Sequence, residues 1–235
     1  EATGTGGTRV TVDGLAASAG SITRAATGTG NSLSVAHSVT SKAGAITLRG
    51  GDNVSFTTAG DVTSTTGNVT VTGNYLGGVD TVGAITLDAG TTINAGSGTI
   101  TMAAPEDITL TGLSTTNTTT SAVSITSTAG KLIDAGDAAT DIVANGVGAR
   151  TTLSAVTGIG TAGAIATQIA NLVATNSGTA GNIEINETDA LVIRNAAQTN
   201  AGTSTGNIDI TAAGAVTVEA TGTGGTGVTT RGGVV

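Results

Sequence analysis

The sequence lacks the residues on which several common kinds of protein depend. Its 235 residues include no Cys, no Trp, one Pro and one His, and aromatic residues make up 1% of the chain. Without Cys, the chain has neither a disulfide framework nor thiol chemistry. No stretch approaches the ~20 consecutive apolar residues that span a bilayer. We therefore expect no disulfide scaffold, no thiol enzyme and no insertion into a membrane.

Charged residues are also scarce, and their balance is acidic. They make up 10% of the chain and leave a net charge of −8. Nucleic acids and anionic membrane surfaces attract basic patches, so we expect neither as a partner.

The first residues resemble neither an initiation site nor a signal segment. We expect the chain to be an excised or processed piece of a longer protein.

The abundant residues are small or β-branched, and the apolar ones recur at a fixed phase. The chain has 38 Gly and 50 Thr, and 38% of its residues are hydrophobic. Over residues 44–110, a turn residue repeatedly precedes an apolar–polar–apolar triplet, which is the alternation of a β-strand. A gap at Asn74-Tyr75-Leu76 is interpreted as an irregular strand or a loop. The first apolar residues of the triplets are Ile46, Val54, Val62, Val69, Ile85, Ile93, Ile100 and Ile108.

Local identities indicate how many of these strands make one coil. Ala2 to Gly6 recur as Ala26 to Gly30, an offset of 24, and Gly181 to Ile185 recur with one change as Gly206 to Ile210, an offset of 25. A strand begins about every eight residues, so one coil contains three strands rather than two. The sequence therefore predicts an all-β fold, a right-handed parallel β-helix of about ten coils over residues 1–235.

The predicted β-helix has specific consequences for side-chain placement. Ile22, Ile46, Val69 and Ile93 should point inward in ladders, with Gly and Asn at the corners. At the ~4.8 Å spacing of paired strands, about ten coils make a rod ~45–50 Å long. One alternative stays open for residues 163–175, where the apolar residues have helical spacing and a short helix is conceivable.

A longer repeat joins the two ends of the chain. Residues 1–8 are identical to residues 219–226, an offset of 218. We expect the chain to be about one period of a longer tandem array. We also expect it to continue end to end, either as further coils of one chain or as further copies of itself.

A phrase in the second half resembles a known family. Its segments are Lys131 to Gly136, Asp141 to Ala144, Thr157 to Thr161, Leu172 to Ala174 and Gly181 to Ile183. It resembles the β-helical shafts of giant bacterial surface proteins of the filamentous haemagglutinin-like and autotransporter type. The resemblance implies secretion, an extracellular or cell-surface location, and a role in adhesion or a surface layer. It carries over no catalytic residues.

Residues that could support catalysis or bind ions are scattered. His37 has no neighbours that would complete a catalytic triad, and we expect it in a surface loop. The carboxylates fall mostly in turns, and Asp61 and Asp88 are not one coil apart. Gly50-Gly51-Asp52 and Gly77-Gly78-Val79-Asp80 are single fragments of a calcium-binding repeat, so at most an incidental calcium ion is expected. We predict no enzyme activity, no cofactor, and neither catalytic nor metal-binding residues.

The expected function is therefore structural. The chain should be a stiff segment of an adhesin stalk, surface fibre or surface-layer element. An alternative is a solenoid face that binds carbohydrate, including host or cell-surface glycans, or ice; a polysaccharide-degrading β-helix comes third. A regular array of Thr between coils would favour ice, and clustered acids or aromatic residues would favour sugar. In the sequence most Thr residues occur singly, with a phase that changes from coil to coil, so they are interpreted as ordinary exposed strand residues.

Overall fold

The structure, a computed structural model, is built from parallel β-strands. It describes residues 2–3, 9–75, 81–200, 204–219, 227–230 and 234. Within these ranges there are 26 strands and no helix, and the strands form three sheets that run along a common axis. Every strand pairing in these ranges is parallel, because each strand is bonded to its equivalent in the preceding and following coils. The predicted parallel solenoid with three strands per coil is confirmed.

The three sheets are named in the order in which the chain visits them. Sheet I contains β1 (Ala2–Thr3), β4 (Ile22–Thr27), β7 (Ile46–Gly50), β10 (Val69–Thr72), β13 (Ile100–Ala104), β16 (Val123–Ser127), β19 (Arg150–Ala155), β21 (Asn171–Asn176), β23 (Leu191–Gln198) and β25 (Val216–Val218), with β26 (Gly227–Thr229) beside β23. Sheet II contains β2 (Arg9–Val12), β5 (Ser32–Val35), β8 (Val54–Phe56), β11 (Ile85–Leu87), β14 (Ile108–Leu110) and β17 (Leu132–Asp134). Sheet III contains β3 (Leu15–Ala17), β6 (Val39–Ser41), β9 (Val62–Ser64), β12 (Ile93–Asn94), β15 (Leu113–Ser114), β18 (Ile142–Ala144), β20 (Ile165–Ile169), β22 (Ile183–Glu187) and β24 (Ile208–Ala212).

The coils differ in length although their strands stay in register. Ile22 pairs with Ile46, an offset of 24, but Val69 pairs with Ile100, an offset of 31, and Val123 pairs with Thr151, an offset of 28. Shorter coils offset the longer ones, as between Thr152 and Val173, an offset of 21. The nine strands of sheet III span about eight turns between Leu15 and Ile208, and sheet I passes through ten levels. Eight strand spacings give a rod of roughly 38 Å.

The extra residues of the coil between Val69 and Ile100 belong to the segment of sequence that joins β10 to β11. Its described part contains Asn74 and Tyr75, which form a turn and no strand, so the loop interpretation is correct there. The Tyr75 ring lies 4.1 Å from the guanidinium carbon of Arg49, and Arg49 Nη1 donates to the Tyr75 hydroxyl at 2.8 Å. The rest of the segment, Leu76 to Asp80, is outside the described residues.

The interior is a set of apolar ladders, as the sequence predicts. All eight triplet residues from Ile46 to Ile108 are fully buried, and Ile22 is 4% exposed. In sheet I the inward column reads Ile22, Ile46, Val69, Ile100 and Val123. Stacking places each side chain directly above its equivalent, so each coil buries the inner face of its neighbour.

Repeated corners use Ser followed three residues later by Gly. The hydroxyl of Ser41 accepts from the Gly44 N–H at 2.9 Å, and the hydroxyl of Ser64 accepts from the Gly67 N–H at 2.8 Å. A Cβ on Gly67 would lie 2.2 Å from the Gly44 carbonyl oxygen in the preceding coil. Gly is therefore required at this corner by the close approach of successive coils.

A second corner device uses Asn or Asp immediately before a strand. The side-chain oxygen of Asn53 accepts from the Ala84 N–H at 2.8 Å, and that of Asn68 accepts from the Thr99 N–H at 3.0 Å. In each case the donor occupies the equivalent position one coil later, where the strand ladder has not yet begun. The same bond is made by Asp61, Asp107, Asp141, Asn182 and Asn207. These side chains continue the coil-to-coil bonding around the corners.

The helix considered for residues 163–175 does not form, and β20 and β21 occupy that stretch. Ile165 and Ile169 are spaced as on a helix, but the residue between them on the inner face is Thr167, which is fully buried. Its hydroxyl donates to the Glu187 carboxylate at 2.8 Å. Because one inward position carries a polar residue, the apolar residues of this stretch do not show the period-two alternation of a strand.

Sheets II and III merge near the carboxyl-terminal end of the described stack. Ile159 pairs singly with Leu132 and with Ile183, while the rest of β22 pairs with β20. One strand, β22, therefore continues both sheets. The repeated residues 1–8 and 219–226 lie almost entirely outside the described ranges.

The interior ladders allow a direct test by charge insertion. We expect Ile85→Asp to lower the free energy of unfolding by about 3–5 kcal/mol, because it buries an unpaired carboxylate among stacked apolar side chains. The matched control is Thr86→Asp on the exposed face of the same strand, which should change it by under about 1 kcal/mol. Urea unfolding of both variants measures the difference. Equal stability of the two variants would contradict the inward assignment of Ile85.

Candidate functional site

The outer face of sheet I carries a continuous column of hydroxyl groups. Thr70 is paired with Thr47 below it and with Thr101 above it. Successive members lie one strand spacing apart, ~4.8 Å. None of these side chains is buried. We call this the first hydroxyl column; its members are Thr23, Thr47, Thr70, Thr101, Ser124 and Thr152.

A second, less regular column runs beside the first. It lies two residues further along each strand, ~7 Å away, and contains Thr72, Thr126, Ser154 and Thr175. Ala25, Arg49 and Ala103 occupy this column at the levels of Thr23, Thr47 and Thr101. Most strands of sheets II and III are two to four residues long, whereas those around Thr70 in sheet I have four to six residues and so present two outward positions. The two columns together are called the hydroxyl face.

This register corrects one interpretation of the sequence. The phase of the hydroxyl residues does not change from β4 to β19, although the coil from Thr70 to Thr101 is longer than the coil from Thr23 to Thr47. The variation is absorbed at the corners, because strand hydrogen bonds hold the ladder positions fixed. One regular column of Thr and Ser between coils is therefore present, beside the less regular second column.

A groove of about 700 Å³ runs along the corner that leads from sheet I into sheet II. Its charged groups are Glu106, Asp107 and Lys131. The Asp107 carboxylate accepts from the Lys131 backbone N–H at 3.1 Å, and its other oxygen lies 3.9 Å from the Lys131 ammonium. Glu106 is exposed and accepts from the Gly83 N–H at 3.1 Å. We call this the corner groove; it brings together acids from one coil and a cation from the next.

Asp141 is a fully buried acid at the corner before β18. One carboxylate oxygen accepts from the Ala166 N–H at 2.8 Å, and the other has no hydrogen-bond partner. Burial raises the pKa of Asp141 to about 7, against the lowering effect of the Ala166 N–H, and the nearby carboxylates of Asp134 and Asp137 raise it further. Asp141 therefore holds a proton at a pH where exposed carboxyl groups have lost theirs.

Glu187 is a second acid inside the stack, 1% exposed. Its carboxylate accepts from the Thr167 hydroxyl at 2.8 Å and from the Ile169 N–H at 3.0 Å. Burial raises the pKa of Glu187, and these donors act in the opposite direction. Asp141 lies one coil before β20 and Glu187 one coil after it, so β20 is bonded to a buried acid on each side.

The structure separates the residues that the sequence singled out as chemically interesting. His37 lies at an exposed bend, as expected, with Nδ1 3.5 Å from the Asp13 carboxylate. Asp61 is bonded to the Thr92 N–H and hydroxyl, so it faces Thr92 and not Asp88. These residues do not form a common site.

Of the two fragments of a calcium repeat, only Gly50 to Asp52 lies within the described residues. Asp52 follows β7 at a corner, and its carboxylate accepts from the Asn53 side-chain amide at 3.1 Å. Gly77 to Asp80 lie outside the described residues. Among the residues that are described, no three or more His, Cys, Asp or Glu side chains are grouped as they would be around a metal ion.

Neither the hydroxyl face nor the corner groove was predicted from the sequence. Thr47 and Thr101 belong to coils two levels apart, and Glu106 and Lys131 belong to successive coils, so neither set is visible as a local motif. The available signal was the strand register: aligning Ile46, Val69 and Ile100 also aligns the Thr residue that follows each of them.

Comparisons with known proteins add no family assignment. No protein-family model matches the chain, and neither a curated protein nor a solved structure does. Over the described residues, no helix is long and apolar enough to cross a membrane. The geometry of the solenoid and its surfaces is therefore what supports a functional proposal.

The buried carboxyl group of Asp141 predicts a pH dependence of stability. Below pH 4 the group is protonated in both states; between pH 4 and about 7 only the unfolded state releases its proton, so the free energy of unfolding falls as the pH rises. Asp141→Asn should remove this contribution, which is on the order of 2–4 kcal/mol across that range. Urea unfolding at several pH values measures the slope.

The control for this experiment is Asp61→Asn. Asp61 precedes β9 as Asp141 precedes β18, and it makes the same bond to the next coil, but it is only half-buried. Comparing the slopes of the two variants separates the effect of full burial from the effect of the bond to the next coil. A full slope retained in Asp141→Asn would show that other groups cause the pH dependence.

Proposed function

We propose that the chain is a shaft segment of a large extracellular bacterial surface protein, in an adhesin stalk, a surface fibre or a surface layer. The observation that carries this proposal is the unbroken parallel register of sheet III through nine strand levels around an apolar interior. The sequence phrase from Lys131 to Ile183 supports it by its resemblance to such shafts. The function is to set a distance and to hold attached domains away from a surface.

The coil-to-coil bonds explain how such a segment resists bending. Each coil is bonded to the next by up to three strand ladders, and the Asn and Asp side chains before the strands bridge the corners between them. Bending the axis would stretch these bonds on one side. Because each coil contacts only its neighbours, the length follows the number of coils, and no single surface residue determines it.

The proposed partners are further coils in the same register. Val216 and Val218 occupy the inward positions above Leu191 and Ile193, yet they are 47% and 53% exposed. Another coil stacked on β25, from the same chain or from a second copy, would bury them. Such a contact repeats without closing on itself and produces a fibre.

The hydroxyl face favours a second candidate function, the binding of ice. Its first column presents hydroxyl groups at ~4.8 Å between coils. The second column adds hydroxyl groups ~7 Å along the strand at three of the six levels, those of Thr70, Ser124 and Thr152. Water molecules bound at regular intervals form an ordered layer that an ice surface continues. The first column offers six consecutive levels for this contact.

The shaft proposal predicts that removing one coil shortens the rod by one strand spacing. Residues 46–68 form one coil, and their deletion joins Ala45 to Val69, which occupies the position of Ile46. Because the chain has no Cys, spin labels at Thr40→Cys and Thr211→Cys report the distance without interference. Seven strand steps separate these sites, roughly 34 Å, and the deletion should leave roughly 29 Å.

The matched control is the deletion of residues 46–57, which removes β7 and β8 and leaves β9. This deletion destroys the register, so it should give broad distances and lower stability. Broad distances in the undeleted chain, or no shortening after removal of the whole coil, would contradict a rigid spacer.

The ice proposal predicts that bulky residues on the hydroxyl face abolish activity. We expect the protein to slow the recrystallisation of ice and Thr70→Tyr with Thr101→Tyr to lose this effect, because two rings interrupt the first hydroxyl column. Thr86→Tyr with Thr109→Tyr on the outer face of sheet II is the matched control and should retain it. Inactivity of the unmodified protein, or equal loss in the control, would contradict the proposal.

A further inference from the structure

The corner groove is a second surface with its own chemistry, distinct from the hydroxyl face. It follows the axis across four coils, from Ala84 past Asp107 and Lys131 to Thr157, a length of roughly 14 Å. The Thr81, Thr157 and Thr161 side chains are exposed at its edges, so three hydroxyl groups accompany the charged ones. The groove therefore offers donors and acceptors along its length.

The charge of the groove is negative overall. Asp107 is the partner of Lys131, both through the backbone N–H and through the ammonium group, so this pair is close to neutral. Glu106 has no cation beside it among the ion pairs of the described residues. One of its oxygens accepts from Gly83. The Glu106 carboxylate is thus left to attract a positive group of a ligand.

We propose that the corner groove binds a short segment of a glycan that carries amino groups, such as a glucosamine-rich oligosaccharide. An ammonium group of the sugar pairs with Glu106, and the ring hydroxyls bond to Lys131 and to the Thr side chains at the edges. This site goes beyond the shaft function; binding at a single groove does not depend on that function, whereas avidity along a fibre rests on it. A shaft needs no ligand, and the groove would serve attachment to a glycan-covered surface.

The strand geometry favours a sugar over a basic peptide as the occupant. An extended peptide binds most readily by adding a strand to an open sheet edge. The groove crosses the corners of successive coils, and Ala84, Asp107 and Lys131 each precede a strand that is already paired on both sides. No strand edge is therefore offered along the described part of the groove. Hydroxyl and carboxylate side chains suit the hydroxyl-rich edge of a sugar.

The proposed binding is weak at a single groove. Sugar sites usually gain affinity from aromatic rings, and no aromatic side chain is among the described residues that line this groove. Repetition along a fibre compensates, because several grooves engage one polymer at once and raise the overall avidity.

The experiment uses the glucosamine trimer as the probe, titrated into the isotope-labelled protein and followed by NMR. We expect millimolar binding that shifts the signals of Lys131, Thr157 and Thr161 and weakens as salt is added. Glu106→Gln should weaken the binding at least about fivefold, because it removes the charge and keeps an acceptor for the Gly83 N–H. The matched control, Asp88→Asn, changes an exposed acid outside the groove and should bind as before.

Two further ligands make the result decisive. The N-acetylated trimer has the same sugar rings without the positive charge, and equal binding by it would overturn the role of Glu106. Trilysine is a basic peptide of similar charge, and equal binding by it would overturn the assignment to a sugar. No shift with any ligand would overturn the site itself. None of these results tests the shaft proposal. That proposal is tested by the spin-label distance, which Glu106→Gln should leave unchanged.

Discussion

The hydrogen bonds between successive coils are the constraint on which the rest of the structure depends. A strand of two to eight residues is bonded only to its equivalents one coil away, so its N–H and C=O groups are paired only when the coils stack in register. The strands therefore stay in register even where the coils differ in their number of residues. The same stack contains a short coil, from Thr152 to Val173, and a long coil, from Thr70 to Thr101. The difference in their number of residues lies in the segments between the strands.

Register in turn determines the chemistry of the interior and of the corners. Because equivalent positions lie directly above one another, an apolar residue stacks on an apolar residue, and a Gly corner lies against the carbonyl of the previous Gly corner. Polar groups inside the stack need partners in the adjacent coil. Glu187 has them, whereas one oxygen of Asp141 does not, and this difference makes Asp141 the costlier of the two buried acids at neutral pH.

The same stacking creates the surfaces that could carry function. One Thr on a strand is common in any sheet, but six levels in register form an array, and acids beside a cation from the next coil form a groove. Both surfaces are products of repetition rather than of a local motif.

The sequence by itself determined the class of fold and the core. The spacing of Ile46, Val54, Val62 and Val69 predicted strands, and the recurrence at an offset of 24 predicted three strands in a coil, because period-two burial and turn residues act locally. The helix alternative was wrong, since Thr167 has a partner, Glu187, that no local pattern reveals. The tertiary structure alone decided the hydroxyl face, the corner groove and the burial of Asp141. Each of these features depends on which residues of separate coils become neighbours. The segments that join the strands differ in length from coil to coil, so a fixed sequence offset does not identify those neighbours.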